Sequence, residues 1–351
     1  MPEMMRAIRK LQPGPGAELQ RVSIPSVGPR DVLVQVKATS ICGTDYHIYS
    51  WDPWSQARVK PPLTVGHELA GEVVAIGRDV TACKVGDYVS AETHIVCNRC
   101  PRCMNGEYHL CENTRILGVD VDGAFAEFVS IPEQNVWIND KDVPFALQSI
   151  QEPLGNAVHT AMNGDLTAKS VLVCGCGPIG IMTVPVAKMA GAEIVIAMDV
   201  NEYRLNLAKQ LGADLLINPM KEDPIEVCRQ NTRGYGVDVV LEMSGNATAI
   251  RQSLKAARNG ARVSLLGLPS RPLEIDLGTD VVMRGLVLQG ITGRKMWQTW
   301  STMRSLFRAG LGERLMPVIT HQMPLEDVEV GMELMKKGEC GKVVLVPGMK
   351  K

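Results

Sequence analysis

The apolar positions change rhythm near residue 155. Before it, apolar and polar residues come in short runs separated by Gly and Pro, at 31–38, 69–76, 87–91 and 125–131. Val32, Val34 and Val36 alternate with Leu33, Gln35 and Lys37, the period-two pattern of a half-buried strand. Short strands at such spacing predict a barrel-like β domain. After residue 155 the pattern becomes strand, helix, strand. Residues 170–174 read as a short apolar strand, 179–190 as a helix, and 193–198 as a strand ending at Asp199. Asn201 suits the cap of a helix running to Gln210, with Leu205 and Ala208 on one face. Strands at 237–241 and 261–266 continue the alternation, which predicts an α/β doubly wound parallel sheet. The run 342–346 is a final strand that can return to the first domain. The expected organisation is 1–155 with 295–351 returning to it, and 156–294 as a second domain. No repeat or low-complexity segment is visible.

Composition narrows the class. A chain of 351 residues fits about two domains. Its 45% hydrophobic and 21% charged content is ordinary for a globular protein. A net charge of −1 offers no footprint for nucleic acid or an anionic membrane. The start, MPEMMRAIRK, has no apolar signal core. The apolar stretch 179–198 is broken by Pro185, Lys188 and Glu193 and reads as helix plus strand, not a membrane span. Ten cysteines in a chain this long point to metal in a reducing compartment rather than to a disulfide scaffold.

The motif Gly175-Cys176-Gly177-Pro178-Ile179-Gly180 follows a strand and opens a helix. Gly175 suits the tight turn, Gly177 the approach of backbone to a pyrophosphate, and Gly180 the close packing of helix on strand. The helix N-terminus offers free N–H groups and a positive dipole end. Asp199 lies about twenty residues further on, where its carboxylate would accept ribose hydroxyls and repel a 2′-phosphate, favouring NAD over NADP. Arg204 is placed to meet the ribose edge or a phosphate. Pro185 should kink the helix locally, because it removes a backbone bond.

Two cysteine constellations carry the remaining chemistry. Cys97-x2-Cys100-x2-Cys103-x7-Cys111 supplies four thiolates, enough to close a tetrahedral structural zinc. An iron–sulfur run wants a different fourth spacing, and a nucleic-acid zinc module wants more basic and aromatic neighbours than Arg99 and Arg102. Cys42, His67 and Glu68 suit a zinc with exchangeable coordination, a Lewis acid able to lower the pKa of a substrate hydroxyl. Thr44 is positioned to accept the hydroxyl proton, and His47 to pass it to solvent. Glu152 is a candidate fourth, exchangeable ligand. Arg294 and Lys295 are candidates to hold a substrate carboxylate, set against a plain reading as a solvated pair or subunit contact. Cys83, Cys174, Cys176, Cys228 and Cys340 read as packing residues, and His94, His109, His159 and His321 receive no role.

Together, Cys42-Gly-Thr-Asp-x-His47, Gly66-His67-Glu68, the four spaced cysteines and the glycine turn resemble the medium-chain zinc-dependent alcohol dehydrogenases over nearly the whole chain. The stretches Tyr49–Trp54, Glu152–His159, Asp199–Arg204 and Thr292–Trp300 resemble the threonine-oxidising branch of that family. The resemblance implies a GroES-like β-barrel catalytic domain, a Rossmann NAD-binding domain, a cytoplasmic homotetramer and two zinc ions per subunit, one catalytic and one structural. It implies oxidation of L-threonine to 2-amino-3-oxobutanoate. By motif position it makes Cys42, His67 and Glu68 catalytic zinc ligands, Thr44 and His47 a proton relay, and Glu152 a residue tuning the zinc. It makes Ile179, Asp199, Arg204, Leu266, Gly267, Leu268, Gly290, Ile291 and Thr292 contacts of NAD. Two other readings are a polyol or secondary-alcohol dehydrogenase, and a zinc- and nucleotide-binding protein without turnover.

Overall fold

The computed structural model describes residues 3–349. The chain divides into two compact units, 1–153 with 319–351, and 154–318. The first boundary falls two residues before the expected one. The second falls later: residues 295–318 stay with the second unit instead of returning. The reason is packing. Helix Gln298–Arg308 buries Trp300 and Met303, and helix Leu311–Leu315 lies on helix Pro178–Met189. The return to the first unit begins with strand Ile319–Pro324.

The first unit is built on a seven-stranded sheet. Strand Asp31–Ser40 lies at its centre, antiparallel to Glu68–Ile76, Phe128–Pro132 and Lys342–Val346. Its expected alternation holds at Val34, Gln35, Val36 and Lys37, with the valines buried and Gln35 and Lys37 half-buried, but not at Leu33. Val32, Leu33, Val34 and Val36 are all buried. Register shifts at Leu33/Val34 and Val36/Ala38 bend the strand, and further structure covers both its faces. Val32, Val34 and Val36 join Leu69, Val73, Val89 and Ile131 in one core, while Leu33 packs with Met5, Ala126 and Phe128 in another. A smaller sheet pairs Met4–Lys10 with Glu18–Ser23 and Leu63–Thr64.

The second unit is a six-stranded parallel sheet in the order Leu215–Ile217, Ile194–Met198, Ser170–Cys174, Val237–Glu242, Ala257–Leu265, Val287–Gly290. The chain builds outward from Ser170–Cys174 on one side, then returns to build on the other. The carboxyl end of that strand is therefore a topological switch point, where open α/β sheets bind ligands. Helix Glu202–Gln210 is capped by the Asn201 side chain and buries Leu205, Leu207 and Ala208. Helix Pro178–Met189 runs without a break through buried Pro185. Among the described residues no helix is long and apolar enough to cross a membrane.

Candidate metal and nucleotide sites

The four-thiol cluster forms by local folding. Asn98 takes a left-handed conformation with φ 54°, and Pro101 starts the short helix Pro101–Met104. This turn brings Cys100 and Cys103 beside Cys97, and Cys111 closes the set, with all four sulfurs within 4.8 Å of one another. Cys97 and Cys111 Sγ are 3.6 Å apart, and Cys100 and Cys111 Sγ 4.0 Å. A Zn–S bond of about 2.3 Å places tetrahedral sulfurs about 3.8 Å apart, so the cage has the size of a zinc site. The Cys97 and Asn113 backbone N–H groups each donate to Cys111 Sγ at 3.4 Å. Backbone donors, Arg99 first, hold the Cys97 thiol down at about 6, while burial pushes Cys103 up to about 12. Four crowded thiols do not all ionise alone, whereas a cation would stabilise four thiolates. All ten cysteines are free of disulfides.

The mixed cluster lies where strand Asp31–Ser40 passes into helix Gly43–Ser50. Cys42 caps that helix, and its backbone N–H donates to Asp45 Oδ2 at 2.9 Å. Donor atoms of Cys42, His67 and Glu68 lie within 4.8 Å of one another. His67 Nδ1 faces Asp45 Oδ1 at 3.3 Å without hydrogen-bond geometry, which leaves Nε2 as the nitrogen available to a metal. Glu68 Oε2 accepts from Ser40 Oγ and Lys342 Nζ, and Lys342 also donates to the Ile41 carbonyl at 2.7 Å. Glu68 Oε1 is buried with no hydrogen-bond partner. Burial pushes the Glu68 carboxyl above its ordinary value, against the pull of Lys342 and His67 and with help from Glu152. Glu152 is buried and accepts from Thr93 Oγ1 at 3.0 Å. An orphaned carboxylate oxygen within a Cys/His/Glu donor set fits a divalent cation with an open coordination position.

Thr44 and His47 stand one turn apart on helix Gly43–Ser50, Thr44 half-buried and His47 exposed. His47 Nδ1 lies 2.7 Å from Asp52 Oδ2, and its ring is 6.2 Å from that of Trp54. Sequence reasoning missed Asp45, Ser40, Asp52 and Lys342. The one signal for Lys342 was a lone charge opening the apolar run Lys342–Val346.

In the second unit the glycine turn lies at the carboxyl end of strand Ser170–Cys174. Gly175 has φ 93°, and a Cβ on Gly180 would stand 1.9 Å from the Gly175 carbonyl. Around Gly177 nothing lies within 4 Å of such an atom, so this is the glycine open to a ligand. The Asp199 carboxylate already works within the protein: Oδ2 accepts from Cys176 N–H at 2.7 Å and Oδ1 from Asn201 N–H at 2.9 Å. Each oxygen keeps acceptor capacity for a ribose hydroxyl. Arg204 Nε is buried without a partner. Leu266 and Gly267 donate their N–H groups to the Glu242 carbonyl, and Leu268 is 90% exposed. Gly290 and Thr292 are exposed, whereas the Ile291 side chain is buried, so Ile291 can offer only backbone. Half-buried Ile179 stands in the first turn of helix Pro178–Met189. Open glycine, helix N-terminus, acid and orphaned guanidinium nitrogen suit a dinucleotide.

Arg294 is buried rather than solvated. It is 1% exposed, lies against Gly155, and donates to Asn156 Oδ1 at 3.2 Å. Lys295 Nζ donates to Asn163 Oδ1 at 2.7 Å. Both reach neighbouring segments of the second unit, and the buried Arg294 does not fit the plain reading as a solvated residue.

Residues 28–140 match the family model for the alcohol dehydrogenase GroES-like domain, and residues 178–309 that for the zinc-binding dehydrogenase domain. The chain is 78% identical over 350 residues to L-threonine 3-dehydrogenase of Symbiobacterium thermophilum, covering 100% of both chains. It is 55% identical over 347 residues to L-threonine 3-dehydrogenase of Caldanaerobacter subterraneus subsp. tengcongensis, covering 99% and 100%. Among solved structures, 2R,3R-butanediol dehydrogenase of Bacillus subtilis superposes with a TM-score of 0.88 at 27% identity, covering 98% and 100%.

Proposed function

The chain belongs to the zinc-dependent medium-chain alcohol dehydrogenase family, and from that premise we propose that it oxidises L-threonine to 2-amino-3-oxobutanoate with NAD as hydride acceptor. The observation that carries the reaction type is the Cys42, His67 and Glu68 donor set at the start of the helix bearing Thr44 and His47. The choice of threonine is supported by 78% identity along the full length of a threonine dehydrogenase, against 27% to a butanediol dehydrogenase of the same fold.

Cys42, His67 and Glu68 would hold a catalytic zinc, which supplies Lewis acidity that lowers the pKa of the threonine hydroxyl. NAD supplies the acceptor for the hydride leaving the substrate's β-carbon. The chain's own part is binding and proton movement. Thr44 Oγ1 takes the hydroxyl proton as it passes on its own, and His47 carries a proton out to solvent. Lys342 holds one oxygen of Glu68, and the other, which has no hydrogen-bond partner, would be the one available to a metal. Glu152, held by Thr93, tunes the field at Glu68. Gly175, Gly177, Gly180 and the helix they open would receive the pyrophosphate, with Ile179 beside them. Asp199 and Arg204 would hold the adenosine ribose. Leu266, Gly267, Leu268, Gly290, Ile291 and Thr292 would border the rest of the dinucleotide. Cys97, Cys100, Cys103 and Cys111 would hold a second, structural zinc, because four protein donors leave no open position.

We further propose that the working form is a homotetramer, as the family resemblance implies, and that it acts in the cytoplasm, where ten unpaired thiols persist. The test is NADH formation with L-threonine, set against sorbitol and 2,3-butanediol. Turnover of either alcohol well above that of threonine would leave the reaction class and remove the substrate.

A further inference from the structure

We propose that Asp52 is a positioning residue of the proton relay, holding His47 in the tautomer with the proton on Nδ1, so that Nε2 is the atom that accepts the relayed proton. The inference rests on the reading of Thr44 and His47 as a relay. It starts from the Tyr49–Trp54 stretch, where no residue has been given a chemical task.

The backbone brings the two groups together. Helix Gly43–Ser50 ends at Trp51 in the left-handed conformation with φ 59°, and the Asp52 N–H donates back to the His47 carbonyl at 3.3 Å. This turn returns the Asp52 side chain to His47. The two carboxylate oxygens then divide their work. Oδ1 accepts the Ser55 N–H at 2.9 Å and caps helix Pro53–Arg58, which fixes the side chain. Oδ2 lies 2.7 Å from His47 Nδ1. Burial pushes the Asp52 carboxyl up, but the Ser55 and His47 hydrogen bonds outweigh it and hold the group below its ordinary value. An ionised carboxylate only accepts, so the hydrogen between the two belongs to Nδ1. A neutral imidazole with its proton on Nδ1 carries its lone pair on Nε2.

Burial first, then Glu329 and Glu333 on helix Val328–Lys337, push the neighbouring Tyr49 hydroxyl up. The Trp54 ring, tilted 59° to the imidazole, packs beside His47. When Nε2 takes the relayed proton, His47 becomes an imidazolium with an N–H on each nitrogen, its charge countered by Asp52. Loss of the Nε2 proton to water restores the starting tautomer. No electrons move in this step: it transfers a proton only, and the electron pair leaves the substrate's β-carbon separately, as the hydride that NAD accepts.

A purely structural Asp52 would only cap helix Pro53–Arg58. Asn and Ser are also good caps, so D52N and D52S separate the two roles. The full-length, zinc-loaded protein is labelled with ¹⁵N-histidine, and His47 is assigned by comparison with H47Q. Wild type should show the Nδ1–H tautomer, and both Asp52 variants should move toward Nε2–H. Their kcat for threonine should fall about tenfold or more near neutral pH, while NAD affinity stays within about twofold. D52N should add nothing further in an H47Q background, since the two residues act as one unit. The proposal is overturned if wild-type His47 carries its proton on Nε2, or if D52N and D52S keep wild-type kcat. Wild-type NADH formation with threonine is measured first. Its absence would bring down the relay reading and the proposal with it, whereas turnover in an unaffected D52N would bring down the proposal alone.

Discussion

Lys342 closes an ion pair on Glu68, and both side chains are almost wholly out of solvent. Lys342 comes from the last strand of the chain and Glu68 from the strand after the Gly66 turn, so the pair ties the returning segment to the candidate metal site. Ser40 shares the same carboxylate oxygen, and the Ile41 carbonyl takes a second Lys342 hydrogen. Both donors go to Oε2, and Oε1 is buried with no hydrogen-bond partner.

Lys342→Met should therefore destabilise the protein strongly. It leaves a buried carboxylate without its counter-charge, a loss that typically costs about 3–5 kcal/mol. Denaturant unfolding measures it on protein from which mild chelation has removed the ion at Cys42, His67 and Glu68, where Lys342 is the cation paired with Glu68. A change below about 1 kcal/mol would mean that water or a neighbour replaces the ammonium group.

Purified protein should carry two zinc ions per chain, and they should leave differently. Mild chelation should remove the ion at Cys42, His67 and Glu68 and abolish activity, with recovery on adding zinc back. The four-thiolate ion should remain until the fold is lost, because its binding is coupled to folding. Cys103→Ser should lower the unfolding temperature more than chelation of the first site does. Iron with labile sulfide in the purified protein would contradict the assignment.

Asp199→Ala should show two effects at once. NAD affinity should fall and NADP should become relatively more acceptable, because a ribose acceptor and a phosphate-repelling charge disappear. Stability should also fall by about 1–3 kcal/mol, because the Cys176 and Asn201 N–H groups lose their acceptor. Isothermal titration and thermal unfolding separate the two. A wild type that already prefers NADP would contradict the reading of Asp199.

The turn glycines should part in the same way. Gly180→Ala drives a Cβ into the Gly175 carbonyl and should compromise folding. Gly177→Ala meets no protein atom. It should fold with near-normal stability but bind NAD poorly, as the methyl occupies the side open to the pyrophosphate. Circular dichroism and NAD titration on the two variants check this, and normal NAD binding by G177A would move the phosphate elsewhere.

How much of this was legible along the chain follows the range of the forces involved. The glycine turn, the Asn201 cap and the Cys97–Cys111 cluster depend on neighbours within one or two turns, so spacing alone located them. The alternation of the central strand was legible at Gln35 and Lys37, but the burial of Leu33 was not, because it depends on Met5, Ala126 and Phe128, far away in sequence. The expected return at residue 295 failed for the same reason: Trp300 and Met303 belong to a core that only the assembled second unit provides. The burial of Arg294 and its bond to Asn156 were not legible, because they depend on the packing of the assembled second unit. The pairing of Lys342 with Glu68 joins positions with no local relation at all.

The measurement that bears most directly on the whole account is kcat/KM for NAD reduction by the zinc-loaded enzyme with L-threonine, sorbitol and 2,3-butanediol, with the amino-ketone product identified. The account predicts that threonine is the best substrate of the three, giving one NADH for each 2-amino-3-oxobutanoate formed, and that chelating the Cys42, His67 and Glu68 metal stops the reaction. Preferred oxidation of either uncharged alcohol, or full turnover with that metal removed, would contradict it.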